Sequence, residues 1–319
     1  MTSDRANAVE ILGVRKSYGS VQAVGGLDLR IPQGSVYGLL GPNGSGKTTT
    51  IRMIMGIFLP DSGEIRILGE PAGSSTRDRI GYLPEERGLY PKMKVGELLT
   101  YFAALKRVPT GEIGQRVGRW LERVGLSEWR ERKVNELSKG MQQKIQFIVS
   151  VISDPPILIL DEPSSGLDPV NANLLREILL ELRAAGKTIL FSTHRMEEAE
   201  RLCDAICLIH RGEKVIDGSL KEIRSASGKN AIRVDYRGEA RWLREAPGVG
   251  DVNDYGNYAE MRLLPGAEAA DIVRFLAPHL DITRFELLEP TLNQIFLEKV
   301  GNYEHETADR RPAGVPAAS

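Results

Sequence analysis

The stretch "GLLGPNGSGKTTTIRMI", Gly38 to Ile54, decides the fold. Within it, Gly41, Pro42, Asn43, Gly44, Ser45, Gly46, Lys47 and Thr48 fit G-x-x-x-x-G-K-S/T, with an apolar strand-like run before and a helix-like run from Lys47 onward. Glycines let consecutive backbone N–H groups curl around a β-phosphate, and the helix N-terminus adds partial positive charge. Lys47 would reach the β- and γ-phosphates, the Thr48 hydroxyl would ligate Mg²⁺, and Thr49 completes the nucleotide-binding set. A glycine-rich turn that merely joins strand to helix is the competing reading. The full motif match with both flanks correct disfavours it.

A phosphate loop needs an acid to hold its metal, and "ILILDE", Ile157 to Glu162, supplies one at the end of a continuous apolar run of the kind buried on both faces of a parallel sheet. Asp161 would hold Mg²⁺ directly or through water. Glu162, one residue beyond, could orient and deprotonate an attacking water. An adjacent base favours hydrolysis over transfer to a substrate hydroxyl.

Bulk composition agrees with a two-domain globular chain. At 319 residues it exceeds the size at which one core usually stops growing. Lys+Arg 42 against Asp+Glu 43 gives a net charge of -1, so no basic field points to nucleic acid as a partner. No run approaches the ~18 apolar residues of a membrane span. The start "MTSDRANAVE" lacks the pattern of a secretory signal, so a cytoplasmic chain is expected. Cys203 and Cys207 read as buried thiols rather than a disulfide or metal site.

Strand-like and helical patterns alternate from Val9 to about Ile223, and an inserted helical subdomain is expected over about 94–152. Domains are expected over 1–226 and 229–300, separated by the small-residue stretch Ser225 to Gly228, with a disordered polar tail over 301–319. The fold class is α/β for the first domain. From Ala231 the order reads βαββαβ, a small ferredoxin-like α+β unit, followed by a terminal helix in "TLNQIFLEKV".

The segment "NELSKGMQQKIQF", Asn135 to Phe147, narrows the choice among phosphate-loop enzymes. It resembles the signature motif of ATP-binding-cassette (ABC) ATPases, which commonly reads LSGGQ. The resemblance implies that Ser138 and Gly140, opening a helix, grip the γ-phosphate of ATP bound to a second subunit. Two protomers then pack head to tail around two ATP molecules, as a homodimer or a pair with a related subunit. By the same resemblance Tyr18 stacks on adenine, Asp168 in "SSGLDP" shapes the dimer interface, and His194 in "LFSTH" contacts the γ-phosphate. Each has a plainer reading: a strand-end tyrosine, a helix cap and a structural histidine. Their order along one chain favours the family.

Two departures stand out. Glu85 replaces the family's usual glutamine after "RIGYLP", giving a stronger Mg²⁺ ligand that cannot donate to water. Lys139 and Met141 replace glycine and glutamine of the signature. The pattern most resembles sodium- and drug-exporter ATP-binding subunits, and the C-terminal unit resembles the extra domain of that branch. The resemblance implies an ATPase with ATP and Mg²⁺, peripheral on the inner face of the cell membrane and energising a separate integral permease. A soluble ABC ATPase that moves no solute is the alternative; such proteins typically carry two cassettes or a long coiled coil.

Overall fold

The computed structural model describes residues 6–86, 88–227, 231–264, 266–297 and 299–300. It divides into two compact units, Met1–Gly218 and Ser219–Ser319. The tail expected to be disordered, 301–319, lies outside the described residues.

In the first unit, strands β1 (Asn7–Tyr18), β2 (Val21–Pro32), β4 (Ser62–Ile67) and β5 (Glu70–Pro71) form an antiparallel sheet of order β2-β1-β4-β5. A second sheet has the order β10-β9-β3-β8-β7-β6, with β3 (Val36–Leu40), β6 (Ile80–Leu83), β7 (Ile157–Asp161), β8 (Thr188–Thr193), β9 (Ala205–His210) and β10 (Glu213–Ser219). Its interior pairs β9-β3, β3-β8, β8-β7 and β7-β6 are all parallel. Every residue of β3, β7 and β8 is buried, which explains their continuous rather than alternating apolar character. One core joins the sheets: Val9, Ile11, Leu29 and Ile65 pack with Leu39, Ile51, Ile54, Ile159 and Leu190. Burying each such aliphatic side chain contributes about 1.5–3 kcal/mol.

Helix α1 (Lys47–Ile54) follows β3, and α2 (Ser74–Arg77) is a single turn. The inserted subdomain is helical as expected, with α3 (Val95–Leu105), α4 (Thr110–Arg123) and α5 (Lys139–Val151). Helices α6 (Pro169–Ala184) and α7 (Met196–Leu202) follow β7 and β8. Register matters most for function. Leu40 lies beside Thr193 and Asp161 beside Ser192, so the loops leaving β3, β7 and β8 emerge side by side at the carboxyl ends of parallel strands. Such sheets bind ligands at that edge.

The second unit opens with α8 (Leu220–Ser227), so the boundary precedes the Ser225–Gly228 stretch expected to be a linker. The physical reason is a capping box. Ser219 Oγ accepts from the Glu222 N–H at 3.1 Å while Glu222 Oε2 accepts from the Ser219 N–H at 3.1 Å, which starts a helix that runs through Ser225 and Ala226. Strands β11 (Ala231–Arg237), β12 (Val249–Asp254), β13 (Tyr258–Leu263) and β14 (Asp281–Leu288) form an antiparallel sheet of order β12-β13-β11-β14. Helices α9 (Arg241–Glu245) and α10 (Ala269–Leu276) complete the βαββαβ order. Leu243, Ile272 and Leu276 pack there on Ile232, Val234 and Met261. Residues 292–297 are helical, as expected of the terminal segment.

Candidate nucleotide site

The loop Gly41 to Gly46 owes its path to glycine. Gly41 has φ +149°, and a Cβ there would meet the Ile209 carbonyl at 2.2 Å; Gly46 has φ +109°, and a Cβ there would meet the Ala23 carbonyl at 2.4 Å. No other residue type combines those dihedrals with that close approach. The loop is also held from outside, because the Gly212 N–H donates to the Ser45 carbonyl at 2.9 Å and the Gly25 N–H to the Gly212 carbonyl at 2.9 Å. Gly46 is the N-cap of α1 and no side chain caps that helix, which leaves its first-turn N–H groups facing the cleft.

Lys47 is buried and folds back on the loop, its Nζ donating to the carbonyls of Gly41 at 2.8 Å and Pro42 at 3.0 Å. Burial pushes its ammonium below the usual lysine range, while the carboxylates of Glu162, Asp161 and Glu85 pull it back up. The Ser45 hydroxyl is buried beneath the loop without a partner.

An open cleft of about 480 Å³ gathers Asn43, Gly44, Gly46, Lys47, Thr48 and Thr49 with Glu85, Asp161 and Glu162. Asp161 is almost fully buried. Burial raises its carboxyl above the ordinary range, while the nearby hydroxyls of Ser192 and Thr48 act in the opposite direction. Its Oδ1 accepts from the Ser192 hydroxyl, and its Oδ2 is buried with no partner. That unmatched oxygen, beside a threonine hydroxyl and at the mouth of a phosphate-shaped loop, fits a hard divalent cation. Among the described residues no group of three or more His, Cys, Asp or Glu could hold a metal. A Mg²⁺ bound by Thr48, Asp161 and Glu85 would complete its shell with phosphate oxygens and water.

Glu162 has φ +48°, a left-handed backbone that a non-glycine residue adopts only when its surroundings hold it there. Its N–H donates to the Ser192 carbonyl at 3.1 Å. Its Oε1 accepts from the His194 N–H at 3.0 Å and lies 2.8 Å from His194 Nδ1. His194 therefore enters the site through Glu162.

The remaining expected residues are placed elsewhere. Tyr18 does not line the cleft; its ring packs edge-on against Phe58 at 6.2 Å, although Val21, Gln22 and Ala23 of the adjoining strand do line it. Ser138 is the N-cap of α5, its Oγ accepting from the Met141 N–H at 3.2 Å. Asp168 caps α6, accepting from the N–H groups of Val170 and Asn171 at 3.0 Å each. Gly140 abuts the loop before Asp168, where an added Cβ would meet the Gly166 carbonyl at 3.3 Å. Ser138, Gly140 and Asp168 thus lie outside the lining of this chain's own cleft. Sequence reasoning does not place Ser192 or Arg211 at the site, nor the hold of Gly212 on Ser45; "STH" after an apolar strand is a usable signal for Ser192 only.

The family described as ABC transporter matches residues 24–165, and the family described as ATP-binding protein DrrA1-3-like, C-terminal domain, matches residues 218–300. The chain is 45% identical to the uncharacterized ABC transporter ATP-binding protein YhaQ of Bacillus subtilis (strain 168) over 90% of its length and 97% of the relative's. It is 41% identical to the Nod factor export ATP-binding protein I of Cupriavidus metallidurans, over 74% of this chain and 79% of that one. Among solved structures, an ATP-binding subunit of an ABC transporter superposes with TM-score 0.65 at 32% identity, covering 69% of this chain and 93% of that one. A dimeric post-hydrolysis state of the ATP-binding cassette MJ0796 bound to ADP and Pi superposes with TM-score 0.62 at 25% identity, covering 66% and 98%. With a phosphate loop, an acidic strand end and a near full-length relative in agreement, the chain belongs to the ABC transporter ATP-binding protein family.

Proposed function

We infer that this chain hydrolyses Mg²⁺-bound ATP at the cleft of Lys47, Asp161 and Glu162 and thereby drives export through a permease carried on a separate chain. The observation that carries the reading is the convergence of Lys47, Thr48, Glu85, Asp161 and Glu162 on one cleft at the carboxyl edge of the parallel sheet. The backbone N–H groups of the loop and Lys47 bind and orient the phosphates. Thr48, Asp161 and Glu85 hold Mg²⁺, which when bound neutralises charge developing on the phosphate oxygens. Glu162 takes the proton of the attacking water. His194, whose N–H and ring both address Glu162 Oε1, keeps that carboxylate aimed and meets the γ-phosphate. Tyr18 swings from Phe58 to cover the adenine.

The relatives' names support the wider reading: one is an export ATP-binding protein, and one solved neighbour is a dimer. Since Ser138, Gly140 and Asp168 lie off this chain's cleft, they act on the nucleotide of a second copy packed head to tail. ATP closes that dimer and hydrolysis reopens it, a two-state switch that a docked permease reads. No helix among the described residues is long and apolar enough to cross a membrane, which suits a motor bound peripherally to the inner face. The test is Ser138→Arg. Turnover should collapse while ATP affinity of the mutant's own loop stays at the wild-type value; loss of ATP binding itself would contradict the head-to-tail arrangement.

A further inference from the structure

We propose that Gln146 is a positioning residue that fixes the Glu85 loop in its metal-binding place, tying that loop to the helix that carries Ser138. The proposal rests on the reading of Glu85 as a Mg²⁺ ligand. Gln146 is 4% exposed, in the middle of α5. Its Nε2 donates to the Pro84 carbonyl at 3.1 Å and to the Glu86 carbonyl at 3.2 Å. A carboxamide has two N–H donors, and both are spent on the carbonyls that flank Glu85. The backbone on each side of Glu85 is therefore pinned, while its own side chain stays in the cleft with Lys47 and Asp161.

Three further observations make this more than packing. First, Gln146 Oε1 is buried with no partner, a cost that an apolar residue of similar size would not carry. A fold needing only volume at that position would be better served by methionine. Second, the distance from helix to loop is set by close packing. Gly81 in β6 lies against α5, where a Cβ would meet the Ser150 carbonyl at 2.1 Å. Third, Gln143, one turn earlier on the same helix face, is also buried and donates from Nε2 to the Pro163 carbonyl at 3.1 Å, next to Glu162. One helix thus holds the backbone beside both Glu85 and Glu162, and its N-terminus is the Ser138 end. A shift of α5 when Ser138 engages the other copy's nucleotide would be delivered to Glu85 through a side chain that has no spare donor.

The test is Gln146→Met, which keeps the volume and removes both donors, assayed in the full chain. Apparent Mg²⁺ half-saturation of ATP turnover should rise by about 10- to 100-fold, the usual effect of losing a partner that orients a metal ligand. Affinity for ATP without Mg²⁺, read with a fluorescent ATP analogue, should not change, because the loop around Lys47 is untouched. Should Gln146→Met fail to fold, Gln146→Asn, whose amide is one methylene too short to reach, is read the same way. Unchanged half-saturation, or slower turnover that tracks thermal stability alone, overturns the proposal. Glu85→Ala run in parallel separates the two ideas. If it shifts the Mg²⁺ requirement and Gln146→Met does not, only the positioning role fails; if neither shifts it, the reading of Glu85 fails too.

Discussion

The Glu162 carboxylate is bound to His194 twice, by the backbone N–H at 3.0 Å and by ring Nδ1 at 2.8 Å to the same oxygen. This contact crosses from the end of β7 to the end of β8, so any movement of His194 is felt directly by the Glu162 carboxylate. The strained backbone of Glu162 lets its side chain turn toward that neighbour rather than follow the strand.

Lys47→Ala should weaken ATP binding by about 1.5–3 kcal/mol, or about 10- to 100-fold, the worth of charged hydrogen bonds to phosphate. Titration calorimetry with ATP measures it directly. Wild-type affinity in this variant would mean that the phosphates bind elsewhere.

Two glycine substitutions separate backbone strain from steric exclusion. Gly186 has φ +87° with open space where a Cβ would point, whereas Gly41 combines φ +149° with a carbonyl 2.2 Å from any Cβ. Gly186→Ala should cost about 1–2 kcal/mol of unfolding free energy and leave ATP binding intact. Gly41→Ala should cost more and abolish ATP binding. Equal losses in denaturant titrations would contradict the cradle geometry.

Asp168 tests the cap. Hydrogen bonds from Asn171 and Val170 hold its carboxyl below the ordinary aspartate range. A carboxyl depressed in the folded state stabilises it above its unfolded value of about 4, and that contribution disappears as pH falls through the folded value. Asp168→Ala should therefore be less stable than wild type at neutral pH, with the difference closing below about pH 4. A gap that persists in acid would show that the carboxylate charge is not what stabilises α6.

Much of this is legible in the sequence because each nucleotide motif is short and carries its own context. Gly41 to Thr48 and Asp161-Glu162 each adjoin the strand that positions them, and βαββαβ is readable in the second unit for the same reason. Two features are not. The grip of Gly212 on Ser45 and of Gln146 on Pro84 and Glu86 joins residues far apart in the chain, and no local pattern announces such partners. The domain boundary differs from the expected one for another reason: Ser225 and Ala226 look like linker residues, but Ser219 and Glu222 have already committed the segment to helix. There the sequence does carry the signal, in "SLKE", ahead of where the composition changes.

Glu162→Gln tests the central claim most directly. Glutamine keeps an oxygen to accept from the His194 N–H but cannot take a proton from water. Steady-state ATP turnover at saturating Mg²⁺ and ATP should fall by about 10²–10⁴-fold, while ATP still binds and accumulates a closed dimer. Turnover at the wild-type rate would remove Glu162 as the base and, with it, the hydrolytic reading of this cleft.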